Sequence, residues 1–368
     1  MILRNISIVN FKNIREARLE FSENVNCLLG NNGVGKSNLL DAIYFMSFCK
    51  SFSGMPDALL MTSGEDFAMI QAAYSRRGVE ESLSMGMARG RRKTLKRNGK
   101  EYVKFSQHIG RFPLVISSPQ DIDLIRDAGE TRRRWMDITL SQSDATYLDN
   151  LIRYTRALEQ RNAMLREGVV DHTLYDAVEQ QMVVTAEVIN AARSEWVERL
   201  RPIFNKYYNM IADGSEAPSL TYLSQLRDAP LAQLFDRERR HDEIVKHTSV
   251  GIHRDDIEMS LDSMPMRRAG SQGQCKTFVI ALRLAQYEFL RESTGLNPLL
   301  LLDDIFDKLD SHRVEKIMKI VSMPTFGQIF VTDTNLAHFD EIIANVAGDY
   351  RLWRVDNGRF NLQNDSSK

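Results

Sequence analysis

The stretch Gly30-Asn31-Asn32-Gly33-Val34-Gly35-Lys36-Ser37 decides the fold. It fits the spacing G-x-x-x-x-G-K-[ST] in full. Its flanks fit as well. Residues 25–29, VNCLL, read as a buried strand running into it, and Leu39, Leu40, Ile43 and Tyr44 recur at helical spacing after it. Strand, glycine-rich turn and helix are the setting a phosphate-binding loop requires. The glycines let the backbone wrap closely and aim N–H groups at phosphate oxygens, while the helix start adds its dipole. On this reading Gly30, Asn31, Asn32, Gly33, Val34, Gly35 and Asn38 bind the nucleotide, Lys36 reaches its β- and γ-phosphates, and Ser37 offers a hydroxyl ligand to a metal. ATP and Mg²⁺ are the expected cofactors.

Two more stretches extend the site. Residues 299–304, LLLLDD, are a continuous apolar run closed by two acids. A strand buried on both faces of a parallel sheet reads this way. Carboxyl ends of such strands face the ligand crevice. Asp303 is then the expected Mg²⁺ partner beside Ser37, and Asp304 the group that polarises an attacking water. With Lys36 these acids form the expected catalytic set. The plainer alternative, two surface acids ending a strand, loses ground beside a complete phosphate loop. Residues 271–274, SQGQ, open a helix striped by Phe278, Leu282, Ala285 and Phe289. Serine at a helix start followed by glycine offers hydroxyl and N–H donors to an anion. An ordinary helix cap has the same local sequence.

The rest of the chain bounds the reading. At roughly 150 residues per domain, 368 residues imply two domains or one elaborated domain. Lys and Arg number 48 against 49 Asp and Glu, so total charge does not itself point to nucleic acid. Cys27, Cys49 and Cys275 have no zinc-finger spacing and read as buried thiols. His108, His172, His241, His247, His312 and His338 have no ligand spacing either. The N-terminus lacks a signal peptide's apolar core, and no apolar run approaches the ~18–20 residues of a membrane helix. A soluble cytoplasmic protein without a membrane partner is expected. Residues 89–104 hold eight basic side chains and one acid around Asn98-Gly99, a hairpin-turn signal. Residues 121–240 are helical in texture, with long helices over 147–166 and 174–208 and no sustained heptads. The expected architecture is α/β with mixed sheets. A discontinuous head spans 1–120 and 241–368, and a helical subdomain spans 121–240.

The phosphate loop, the SQGQ helix start and LLLLDD together resemble the ATP-binding cassette heads of the SMC family, which are P-loop NTPases. The details are most similar to the RecF recombination mediators. IVNFKNI (8–14), ISSPQDIDLI (116–125), Arg132-Arg133-Arg134 followed by Asp137, LEQRNAML (158–165), GIHRDD (251–256), SQGQCK (271–276) and LLLDDIFDKLD (300–310) all occur in the RecF order. The compact helical insert in place of a long coiled coil is similar too.

The resemblance implies an ATP-induced homodimer with each nucleotide sandwiched between protomers, Ser271, Gln272, Gly273 and Gln274 of one facing the phosphate loop of the other. It implies a weak, DNA-stimulated ATPase acting as a switch. It also implies binding of double-stranded DNA near single-strand gaps and junctions, partnership with RecR and RecO, and loading of RecA. Gln120, after the strand expected over 113–117, corresponds to the Q-loop.

Three positions depart from the wider cassette pattern. Asp304 stands where transporters carry Glu, Asp307-Lys308-Leu309-Asp310 replaces Ser-Ala-Leu-Asp, and Asp333 replaces a switch histidine. These changes suggest slow, regulated hydrolysis. A transporter-type ATP-binding cassette subunit is the alternative, disfavoured by the length of the helical insert and by Asp333. A small-molecule P-loop kinase has no use for a signature serine far along the chain. The basic hairpin, Arg132–Arg134, His253 and Arg254 are candidates for DNA or nucleotide contact, each with a structural alternative.

Overall fold

Alternation sets the first strands: Ile6 and Ile8 are buried on one face while Asn5 is exposed on the other. The computed structural model describes residues 1–212, 216–306, 309–334 and 349–365. The chain begins with β1 (Ile2–Phe11), β2 (Ile14–Glu20), β3 (Val25–Leu29) and α1 (Lys36–Phe48). It continues through β4 (Phe67–Arg76), β5 (Val79–Ala88), β6 (Thr94–Arg97), β7 (Lys100–Glu101) and β8 (Leu114–Ser117). The helical stretch follows as α2 (Asp123–Arg126), α3 (Gly129–Ser143), α4 (Ala145–Glu167) and α5 (His172–Ile211). Then come β9 (Pro218–Leu223), α6 (Leu231–Val245), β10 (Asp256–Leu261), β11 (Met264–Pro265) and α7 (Met266–Ala269). Last are α8 (Gln272–Thr294), β12 (Leu299–Asp303), α9 (Ser311–Val321), β13 (Ile329–Asp333), β14 (Tyr350–Asp356) and β15 (Arg359–Asp365).

Two compact units result, residues 1–121 with 286–368, and residues 122–285. The first holds two six-stranded sheets. One is antiparallel, in the order β2-β1-β4-β5-β6-β7. The other runs β15-β14-β3-β13-β12-β8 and is parallel from β14 to β8, with β15 antiparallel at its edge. Helix α1 lies between them, touching β1 and β4 on one side and β8, β12 and β13 on the other. That position explains why α1 is buried nearly all round rather than along one stripe. Its one fully buried acid, Asp41, is held by Lys12 Nζ at 2.6 Å, Ser51 Oγ at 2.6 Å and the Phe52 N–H at 2.8 Å. A charge taken out of water needs such a full set of partners.

The second unit packs α3, α4, α5 and α6 with a three-stranded sheet, β11-β10-β9. The sequence reading returns the chain to the head at residue 241, whereas the packing returns it at 286. The reason is that 241–285 belongs with the helices. β10 pairs along β9, Phe278 of α8 packs 4.7 Å from Phe204 of α5, and Asp255 pairs with Arg193. Two buried arginines pin this unit. Arg193 reaches Asp255 Oδ2 at 2.8 Å, Asp137 Oδ1 at 2.8 Å and the Ile252 carbonyl at 2.7 Å. Arg161 reaches Glu179 at 2.9 Å and Asp242 at 2.6 Å.

Candidate nucleotide site

The phosphate loop leaves β3 at the centre of the parallel sheet and enters α1 at Lys36. Two of its glycines are required by geometry. A Cβ on Gly30 would lie 2.6 Å from the Val355 carbonyl oxygen. Gly35 has φ +113, and a Cβ there would lie 2.8 Å from Asn13 Oδ1. The loop and first helical turn enclose a cavity of about 170 Å³, lined by Asn31, Asn32, Gly33, Gly35, Lys36, Ser37 and Asn38, with Asp304 opposite. Lys36 is 3% exposed. Its ammonium donates to the Gly30 carbonyl at 2.6 Å and the Asn31 carbonyl at 3.2 Å, and lies 3.9 Å from Asp304 Oδ1.

Parallel pairing brings the acids to this mouth. β12 lies between β13 and β8, with Asp303 opposite Thr332. Ser37 Oγ donates to Asp303 Oδ1 at 2.8 Å. The Thr332 hydroxyl also donates to Asp303 Oδ1, at 2.8 Å, and accepts from the Asp304 N–H at 3.0 Å. Burial pushes the Asp303 carboxyl above its ordinary pKa. The hydrogen bonds from Ser37 and Thr332 pull it down, and the charge of Asp304 adds to the rise. Asp304 has φ 46, a left-handed conformation uncommon for a residue other than glycine. Ser37 and Asp303 thus place hard oxygen donors from two elements at one point, a donor set that fits Mg²⁺.

Sequence reading missed Thr332. The signal is the strand 328–332 ending in a hydroxyl residue, but its partner is set only by strand pairing. It also missed a second cavity of about 590 Å³ beside the loop, between Asn13, Arg15 and Glu16 on one side and Asp356, Asn357, Gly358 and Arg359 on the other. The Gly358 N–H ties this turn to the Val34 carbonyl at 2.7 Å. Asn357-Gly358, a hairpin dipeptide with both φ positive, was the available clue.

The other expected residues are distributed as follows. Gln120 is exposed, just past the carboxyl end of β8. In the second unit, Ser271 and Gln274 form a reciprocal cap on α8. The Ser271 N–H donates to Gln274 Oε1 at 2.8 Å, and the Gln274 N–H to Ser271 Oγ at 3.2 Å. Gln274 Nε2 donates to Glu216 at 2.7 Å, so both ends of its amide are engaged, one in the cap and one with Glu216. Ser271 and Gln272 are exposed, and Gly273 is half-buried.

Two of the three arginines of the triplet take the structural alternative: Arg132 pairs bidentately with Asp256, at 2.6 and 2.8 Å, and Arg133 donates to the Asp255 carbonyl at 2.7 Å. Arg134 is the exposed member. His253 sits between the Tyr154 hydroxyl at 2.9 Å and the Thr248 carbonyl at 3.1 Å, and burial lowers its pKa to about 4. Its role there is in the fold. Asp310 caps α9, accepting from the Arg313 N–H at 2.9 Å. Asp307, Lys308 and His338 lie outside the described residues. Among the described residues no helix is long and apolar enough to cross a membrane.

With this geometry in hand, comparison with known proteins is direct. Residues 2–351 match the family described as RecF/RecN/SMC N terminal domain. The chain is 48% identical over 358 residues to the DNA replication and repair protein RecF of Parabacteroides distasonis, across 97% of this chain and 98% of that protein. It is 45% identical over 370 residues to the protein of the same name from Bacteroides fragilis, across all of both chains. Among solved structures it is similar to the recombination mediator protein RecF-ATPrS of the RecFOR pathway, with TM-score 0.88, 29% identity and 98% of each chain covered. An Smc head domain with an extended coiled coil from Pyrococcus furiosus shares the fold, at TM-score 0.59 and 15% identity over 98% of this chain and 96% of that one.

Proposed function

The chain belongs to the RecF family, and from that premise we propose that it is a nucleotide-gated clamp on duplex DNA, closed by ATP and reopened by hydrolysis. It is an ATP-dependent DNA-binding protein of replication and repair, with the weak ATPase activity of its family. The observation that carries the clamp reading is the convergence of Lys36, Ser37, Asp303 and Asp304 on the mouth of the phosphate loop.

In this reading the loop N–H groups and Lys36 bind the β- and γ-phosphates, and Ser37 and Asp303 hold Mg²⁺. Bound there, Mg²⁺ neutralises phosphate charge. Asp304 orients the attacking water, and Thr332 holds both acids in place. The cavity between Asn13 and Asn357 takes the nucleoside end. The second protomer supplies the rest: Ser271 Oγ and the Gly273 N–H reach the γ-phosphate in trans, with Gln274 holding that helix start. A contact made only in the dimer shifts the equilibrium toward the dimer. Hydrolysis removes the γ-phosphate and with it the contact. The clamp acts in the cytoplasm near single-strand gaps, with RecR and RecO, to load RecA.

Sedimentation velocity with labelled gapped duplex tests this. In Mg-ATP the protein dimerises and carries the DNA, and in Mg-ADP it stays monomeric. A monomer that ignores DNA in both nucleotides overturns the clamp.

A further inference from the structure

We propose that the β6–β7 hairpin is a ribbon that binds the phosphate backbone of duplex DNA through Lys96, Lys100 and Lys104, with Arg91 and Arg92 beside them. This rests on the DNA-binding reading above and gives it a surface.

The structure divides the basic residues of 89–104 into two groups. Arg89 is paired with Asp66 at 3.2 Å, Lys93 with Asp57 at 2.8 Å, and Arg97 with the buried Glu81. Those three cations have carboxylate partners of their own. Arg91, Arg92, Lys96, Lys100 and Lys104 are exposed, and among the described residues none of them has an ion-pair partner. The hairpin is rigidly built. Asn98 and Gly99 take φ 50 and 77, the signature of a tight two-residue turn, and Asn98 Oδ1 accepts from the Ser82 N–H at 2.8 Å. Pairing continues beyond β7, the Tyr102 N–H donating to the Leu95 carbonyl at 2.9 Å. A fixed two-stranded ribbon holding unpaired cations is the surface a polyanion fits, since each phosphate contact releases counterions. Such a ribbon also has the width a major groove admits.

The duplex is favoured over a single strand by the aromatics. Single-strand binding sites stack bases on exposed rings. Here Tyr102 packs edge-on against His108 at 5.1 Å, and Phe105 carries Arg92 and Lys93 over its ring at 5.7 and 5.8 Å. The exposed side chains of the ribbon are mostly cations, with one acid, Glu101, across the ladder from Lys96, and with Val103 between Lys100 and Lys104 in the chain.

The test is duplex binding by the full-length protein in Mg-ATP, titrated with salt. Lys96→Ala/Lys100→Ala/Lys104→Ala should reduce the slope of log K against log salt by about 2 to 3 and weaken duplex binding at least about tenfold at low salt. Nucleotide affinity and melting temperature should stay unchanged. The triple Lys→Arg variant should bind like wild type. The charge-matched control, Arg156→Ala/Arg237→Ala/Arg240→Ala on exposed positions of α4 and α6, should keep the wild-type slope. Wild-type binding by the hairpin variant, an equal loss in the control, failure of the arginine variant, or a loss confined to single strands each overturns the assignment. If wild type itself ignores duplex, the clamp reading fails instead.

Discussion

Thr332 shows how a residue of the candidate site can be invisible in sequence and yet hold both acids in space. Lys36, Ser37 and the glycines are legible because their spacing is local, and Asp303-Asp304 because an apolar run ends on them. Thr332 contacts the acids across 28 residues of chain, through the parallel pairing of β12 and β13. Arg132 makes the same point. An acid, Asp137, lies close by in the chain, yet the fold delivers Asp256 from 124 residues away. The Thr332 hydroxyl satisfies Asp303 and anchors the strained Asp304 backbone at once. Thr332→Val removes both bonds with little change of volume. A hydrogen bond to a charged group contributes about 1.5–3 kcal/mol, and about 1.4 kcal/mol is tenfold in rate. Single-turnover hydrolysis should therefore slow by about 10- to 100-fold, while ATP affinity holds. Thr332→Ser should recover most of the rate. Wild-type turnover in the valine variant, or no recovery in the serine variant, removes Thr332 from this role.

At the scale of elements, sequence reading did best where one element carries its own signal. The strand 25–29 and the turn at Asn98-Gly99 match the observed β3 and the β6–β7 turn. The helices expected over 147–166 and 174–208 correspond to α4 and α5, whose caps, Asp144 and Asp171, extend them by a few residues. The sheet β11-β10-β9 was missed, since its short strands are embedded in helix-rich texture and are defined by pairing with each other. In the motifs LEQRNAML and GIHRDD, Arg161 and Asp255 are buried supports of the helical unit. Arg193 on α5 is another such support, joining α3 through Asp137 to the turn before β10 through Asp255. Replacing it by Met leaves Asp255, 1% exposed, without its cation. Breaking a buried pair from one side costs about 3–5 kcal/mol. Arg193→Met should lower unfolding stability by about that amount in a denaturant titration. A loss under about 1 kcal/mol would mean that burial, which already pushes the Asp255 pKa up, simply leaves that carboxyl protonated.

At the scale of the whole molecule, the clamp reading requires two half-sites to become one. The phosphate loop, its acids and Thr332 lie in the unit of residues 1–121 and 286–368, while the Ser271 cap lies in the unit of residues 122–285. Helix α8 starts in one unit and ends in the other. The shift of the boundary from 240 to 285 matters for this reason. The serine is carried by the helical unit, so that unit belongs to the nucleotide cycle under the clamp reading. Ser271 Oγ already accepts one N–H as a helix cap, and a serine oxygen has a second lone pair and a proton to offer an anion. Ser271→Arg keeps the phosphate loop intact and places a long side chain where, under the clamp reading, the partner's γ-phosphate docks. The variant should bind Mg-ATP as tightly as wild type by equilibrium dialysis and remain monomeric in sedimentation at concentrations where wild type dimerises. Losing the cap costs helix α8 about 1 kcal/mol, and Ser271→Asp separates that effect. Aspartate restores the cap but adds negative charge facing the phosphate, so the protein should stay stable and still fail to dimerise. Dimers in both variants at wild-type concentration would show that the ATP-driven interface is built elsewhere.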